Sequence, residues 1–186
     1  IYTLSLHDAL PILSQKLSDI LAIKGFKIVR QNIRSLTGRI DKLRLIASEL
    51  RSSLQFMSFS ETWAHKEISD SELETEEAGL AVYVKNDVKV MPRPDLEEST
   101  MEGLWVEVCP PKSRSFLIGT FNRPPTSSNH AVKDFMPIFD SCLRRAMAMD
   151  KEVIITGDLN CDFLPKRTTE SDCKQLKALL RQENLT

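Results

Sequence analysis

The chain has 186 residues, 41% apolar and 27% charged, with 6 Gly and 9 Pro. These proportions suit one globular domain and exclude collagen, low-complexity disorder and coiled coil. Lys and Arg number 25 against 26 Asp and Glu, a net charge of -1, so no global positive field marks a nucleic-acid partner. The longest apolar runs, such as Phe116–Ile118 and Val153–Ile155, fall far short of the roughly 18 residues that cross a bilayer, and no membrane partner is expected.

In chain order, Ile1–Ile12 matches neither a signal peptide nor a capped amphipathic helix. Tyr2–Ile12 back-translates in one frame to a common sequencing-adapter string, so residues 1–12 read as an assembly artefact, 13–25 as leader or linker and 26–186 as the domain. Phe26–Asn32 reads as a strand with Arg30 and Asn32 on one face by the period of two. Thr37 is placed to cap a helix whose stripe is Ile40, Leu43, Ile46, Ala47, Leu50 and Leu54. Gln55–Glu61 follows as a strand ending on a carboxylate, and Ile68–Glu77 as loop or frayed helix. Gly79–Lys85 is rich in β-branched residues, Asn86-Asp87 is a turn, and Val88–Met91, Leu104–Cys109 and Ser115–Phe121 are further strands.

Ala131–Met149 has a helical stripe, with Pro137 implying a late start or a kink. Val153–Ile155 leads as a buried-type strand into Thr156-Gly157-Asp158-Leu159-Asn160, and a last helical pattern carries Leu176, Leu179 and Leu180 towards Asn184. That pattern stops abruptly, as if the carboxyl-terminal part were missing. Mixed strands and helices in this order predict an α/β domain of sheet layers flanked by helices. No repeat and no interdomain linker is visible.

Charge is uneven along the chain. Lys24–Arg51 holds eight basic and two acidic residues, net +6, while Glu61–Glu107 holds thirteen acids and four bases, net -9. The pattern fits solvated helix and loop faces, or a basic flank beside an acidic, metal-binding rim. Cys109, Cys142, Cys161 and Cys173 show neither C-x-x-C spacing nor a His at ligand spacing. Reduced thiols in a reducing compartment are therefore expected, with no zinc site or redox pair.

Three strand ends deliver polar groups: Asn32, Glu61, and Asp158 with Asn160. Ligand sites of α/β sheets gather at carboxyl ends of strands, where rigid supports let side chains converge. Asp158 and Asn160 are two apart and in extended backbone would point the same way. One carboxylate with amide and water oxygens suits Mg2+ when a substrate adds phosphate. Taken singly, each has a plainer reading. GDLN is a turn in which Asp158 makes an Asx-turn, Glu61 is a helix-start acid, Asn32 a turn residue and Arg123 a surface cation.

Taken together, QNIRSL, SETW, GLAVYVK, RPP and GDLNCD in this order resemble the endonuclease/exonuclease/phosphatase family. Their wording is similar to the apurinic-type endonuclease domain of non-LTR retrotransposon (LINE-like) polyproteins, over about residues 25–186. The resemblance implies a layered sandwich of two mixed β-sheets flanked by helices, with Mg2+ as cofactor and Mn2+ as the alternative. It implies DNA as the partner, a nuclear setting, and a reverse transcriptase domain in the same polyprotein where the frame continues. Glu61 would hold the metal, with Asn32 at metal or phosphate. Asp158 would orient and activate water, and Asn160 would hydrogen-bond the scissile phosphate. Arg123, with Asn122 beside it, would meet substrate.

Three departures accompany that resemblance. The family's late Ser-Asp-His motif is not found, and His7, His65 and His130 do not replace it. Asn122 stands where related domains place Tyr before Arg-Pro-Pro, and Trp63 and Gly79 are separated by fifteen residues where a longer passage is usual. The sequence therefore predicts a metal-dependent DNA endonuclease domain that is truncated and inactive as this chain. A non-catalytic fragment keeping the fold, or a small-molecule or lipid phosphodiesterase or phosphatase, are the other readings.

Overall fold

The computed structural model describes residues 2–5, 24–33, 41, 54–62, 75–77, 79–125, 135–161, 171–183 and 185. They belong to two compact units, 1–90 and 91–186, each built on its own sheet. Both sheets are mixed, and the described helices accompany the second, in the α/β class the sequence predicts.

In the first unit, β1 (Tyr2–Ser5), β2 (Lys27–Asn32) and β3 (Phe56–Ser60) run parallel. β4 (Thr75–Glu77) and β5 (Leu80–Val84) complete the order β1-β2-β3-β5-β4, with β5 antiparallel to both its neighbours. Every residue of β3 is buried, as expected of a central strand covered on both faces. The period of two divides it. Phe56, Ser58 and Ser60 share a face with their register partners Ile28, Arg30 and Asn32, and Met57 and Phe59 share the other with Val29 and Gln31. Residues 2–5, within the stretch read as an assembly artefact, form the edge strand beside β2. Strand β4 occupies the end of the stretch read as loop or frayed helix. There the short Thr75–Glu77 segment pairs antiparallel with β5, three to seven residues further on, and its acidic, weakly periodic sequence does not announce that pairing. The helix expected over 40–54 lies, apart from Asp41 and Leu54, outside the described residues.

The second unit has β6 (Val90–Pro92), β7 (Glu102–Val108), β8 (Phe116–Asn122) and β9 (Glu152–Asp158) in that spatial order. Pro92 is tolerated because β6 is an edge strand, where a missing N–H breaks no ladder. β7 and β8 are antiparallel. β8 and β9 are parallel and are joined through helix α1 (Phe135–Met147), since parallel neighbours need a crossover. Pro137 falls in the first turn of α1 as described, where its missing N–H costs no helical bond. Helix α2 (Ser171–Gln182) follows β9.

A helix-facing core packs against the second sheet. Trp105, Leu117 and Phe121 of the sheet pack with Phe135, Phe139, Cys142, Leu143 and Ala146 of α1 and Leu176 of α2. Phe121 meets Trp105 edge-on at 5.5 Å and Phe139 edge-on at 4.9 Å, arrangements that suit the ring quadrupoles. Its ring lies across Gly103 and Gly119, where a Cβ would stand 2.8 and 2.7 Å from ring carbons. Each fully buried large side chain here contributes about 1.5–3 kcal/mol through burial.

Candidate functional site

Parallel pairing brings the carboxyl ends of β2 and β3 to the same edge of the first sheet, with Asn32 opposite Ser60. Asn32 Nδ2 donates to Glu61 Oε1 at 2.7 Å. Glu61 is the first residue past β3 and has φ 56°, a left-handed conformation uncommon for a residue other than Gly, Asn or Asp. The chain on either side is held by Ile33 N–H to Ser60 O at 3.0 Å and Thr62 N–H to Gly79 O at 2.9 Å. Such strain, of order 1–3 kcal/mol, persists only where the surroundings enforce it, and it concentrates at functional positions. Here it turns the carboxylate towards β2.

Two further side chains belong to this corner, Ser60 at 1% exposure and Thr62 at 0%. Among the described residues neither Ser60 Oγ nor Thr62 Oγ1 has a hydrogen-bond partner. Reading the sequence missed both because SETW draws attention to its acid, and a buried hydroxyl has no local signature.

In the second unit the matching edge is formed by β8 and β9, where Asn122 pairs in register with Asp158. Gly157 has φ 123° and lets the end of β9 press against Phe121. Arg123 N–H then donates to Asp158 O at 2.7 Å, and Asn160 Nδ2 donates to Arg123 O at 2.7 Å. Asn160 N–H also donates to Asp158 Oδ1 at 3.1 Å, so the Asx-turn reading of GDLN and the placing of Asp158 at a strand end hold together. The extended-backbone relation between Asp158 and Asn160 does not hold. β9 ends at Asp158 and Asn160 has φ 46°, because the Asx bond curls the chain out of the strand.

Arg123 is not a surface cation: it is 4% exposed. Its Nη1 donates to Cys161 Sγ at 3.1 Å and to Leu159 O at 3.5 Å, while the guanidinium lies 5.5 Å from the centre of the Phe135 ring. Burial, together with the Cys173 thiol, pushes the Cys161 thiol up to about 12, against the opposing influence of Arg123. Cys161 is therefore a protonated packing residue at neutral pH. Asn122 is 8% exposed and donates through Nδ2 to Glu102 Oε2 at 2.6 Å. Glu102, Asn122 and Asp158 thus occupy one register row across β7, β8 and β9. Glu102 carried no signal in the sequence, since its role depends on cross-strand pairing.

Among the described residues, no three His, Cys, Asp or Glu side chains gather at a metal-sized spacing. No helix among them is long and apolar enough to cross a membrane. Of the sequence-predicted residues, the first unit brings together Asn32 and Glu61, and the second brings together Asn122, Arg123, Asp158 and Asn160.

The α/β class with two mixed sheets, carrying polar residues at carboxyl strand ends, is what fold and site define. Among solved structures, one similar in fold is an endonuclease/exonuclease/phosphatase family protein from Leptotrichia buccalis C-1013-b. It is 10% identical, with a TM-score of 0.45, covering 85% of this chain and 73% of that one. No family model and no curated protein matches the chain.

Proposed function

We propose that the chain is a Mg2+-dependent phosphodiester hydrolase domain acting on DNA, of the endonuclease type carried by non-LTR retrotransposons. The observation that carries this reading is the Asn32–Glu61 pair. A carboxylate on strained backbone is held by an amide from the neighbouring parallel strand, 29 positions away in sequence. The order of the motifs supports the finer assignment to DNA and to the retrotransposon type.

The donor chemistry fits a small hard cation. One carboxylate and one amide suit Mg2+, or Mn2+ in its place, because such ions keep several waters and take further oxygens from phosphate. In the proposal Glu61 and Asn32 hold the cation, which when bound supplies Lewis-acid stabilisation of developing negative charge. Asn32 orients the Glu61 carboxylate through its Nδ2. Asp158 acts as general base on the attacking water, with the Asn160 N–H fixing the orientation of its carboxylate. Asn160 and Asn122 serve the phosphate side. Arg123 reaches the substrate through the turn it braces, because its guanidinium is engaged with Leu159 O and Cys161 Sγ.

A second reading, a non-catalytic domain, has its own observation. The amides of Asn122 and Asn160 already donate inside the chain, to Glu102 and to Arg123 O. Plasmid nicking in Mg2+ by the wild type, Glu61→Gln and Asp158→Asn separates the two. The hydrolase reading, set against the inactivity that the unfound Ser-Asp-His motif predicts for this chain, expects nicking that falls about 100- to 1,000-fold in either variant. Mn2+ binding without nicking selects the second reading, and nicking that survives both substitutions sinks the assignment.

A further inference from the structure

We infer that the Ser60 hydroxyl is a further oxygen of the cation-holding corner, binding one of the waters of the ion that Glu61 and Asn32 hold. The inference rests on the cation reading of Glu61 and adds a residue to it. Ser60 is the last residue of β3 and the register partner of Asn32, so in a parallel pair the two side chains stand side by side on one face. Asn32 is the residue whose amide grips Glu61. Ser60 is 1% exposed, and among the described residues its Oγ has no hydrogen-bond partner.

A buried hydroxyl without a partner is costly, and natural chains keep such groups where a ligand or an ordered water supplies the missing bond. Several features place that ligand at the Glu61 edge rather than in the apolar core. The neighbour is an amide already committed to a carboxylate, and the Ser60 backbone carbonyl is taken by Ile33 N–H at 3.0 Å. The following residue is forced into the left-handed region. A hydroxyl both donates and accepts, which suits contact with a cation-bound water better than direct replacement of a carboxylate. Small hard cations bound by few protein groups keep such waters.

The experiment uses the full chain and Mn2+ alone as probe, titrated with free ion read by electron paramagnetic resonance, beside thermal unfolding without metal. Wild type, Ser60→Ala and Glu61→Gln are compared. Ser60→Ala is expected to leave the metal-free unfolding temperature equal or higher, since it removes an unsatisfied group. It is also expected to weaken Mn2+ binding about 10- to 100-fold, the usual effect of losing an outer-shell partner. Opposite signs for stability and affinity are what a merely structural serine would not produce.

Wild-type Mn2+ affinity in Ser60→Ala, with binding lost in Glu61→Gln, overturns the inference and leaves the cation reading standing. A lower metal-free unfolding temperature in Ser60→Ala also overturns it, because the hydroxyl is then satisfied within the fold. If wild type binds Mn2+ no better than Glu61→Gln, the cation reading fails and takes the inference with it. Should Ser60→Ala not fold, Ser60→Cys, similar in size and weaker in hydrogen bonding, goes through the same titration with the same criteria.

Discussion

Gly157 and Phe121 approach so closely that a Cβ on Gly157 would stand 1.9 Å from the Phe121 carbonyl oxygen and 2.6 Å from its nitrogen. Both obstacles are backbone, so no rotamer change relieves them, and φ 123° independently disfavours a side chain. Gly157→Ala is therefore expected to destabilise the chain by about 3 kcal/mol or more, the sum of overpacking and left-handed strain. Urea unfolding checks this. A loss below about 1 kcal/mol would show that the approach of β9 to β8 is looser than described.

Glu61 gives an inverted glycine effect. Replacing it by Ala removes the Asn32 hydrogen bond and keeps a Cβ on left-handed backbone, whereas Gly removes the bond and relieves the strain. Glu61→Gly is expected to be about 1 kcal/mol more stable than Glu61→Ala, opposite to the usual order in regular structure. Equal or reversed stabilities in denaturant would show that position 61 is not strained in solution.

Arg123 separates bracing from substrate contact. Arg123→Lys keeps the charge but loses the planar fork that reaches Leu159 O and Cys161 Sγ. It is expected to cost about 1–3 kcal/mol of stability through groups left unsatisfied in a buried place. If Lys instead matches wild-type stability while DNA binding weakens, the guanidinium serves phosphate directly through its planar fork.

Acid stability is expected to depend on Glu107, which is 6% exposed. Hydrogen bonds from Lys151 first, then Ser115 and Arg93, hold its carboxyl below the ordinary range against the effect of burial. A folded-state value below the unfolded one contributes stability that is fully present above the ordinary Glu value of about 4.3. That stability is lost as pH falls through the lower folded value. Wild type and Glu107→Gln should therefore differ by a constant amount between about pH 6 and 8 and converge below about pH 4. A difference that does not shrink in acid would remove Glu107 from the acid response.

The sequence by itself determined most of the second sheet, the class of the fold and the identity of the polar strand ends. Val153–Ile155 and Leu104–Cys109 are strand-forming stretches legible from local pattern, although in the first only Val153 is buried, and α1 announces itself by Phe135, Phe139, Leu143 and Ala146 at helical spacing. Asn32, Glu61 and Asp158 stood out because each ends such a stretch. Only tertiary structure decided how those ends are used. Whether Asn160 continues a strand or curls back is decided by its bonds to Asp158 Oδ1 and to Arg123 O, the latter 37 positions away. Likewise, Arg123 is a buried brace because α1 brings Phe135 over its guanidinium. The Glu102–Asn122 pair and the buried hydroxyl of Ser60 were hidden for the same reason. Each is defined by a partner distant in sequence, and periodicity records which face a residue takes but not what lies across from it.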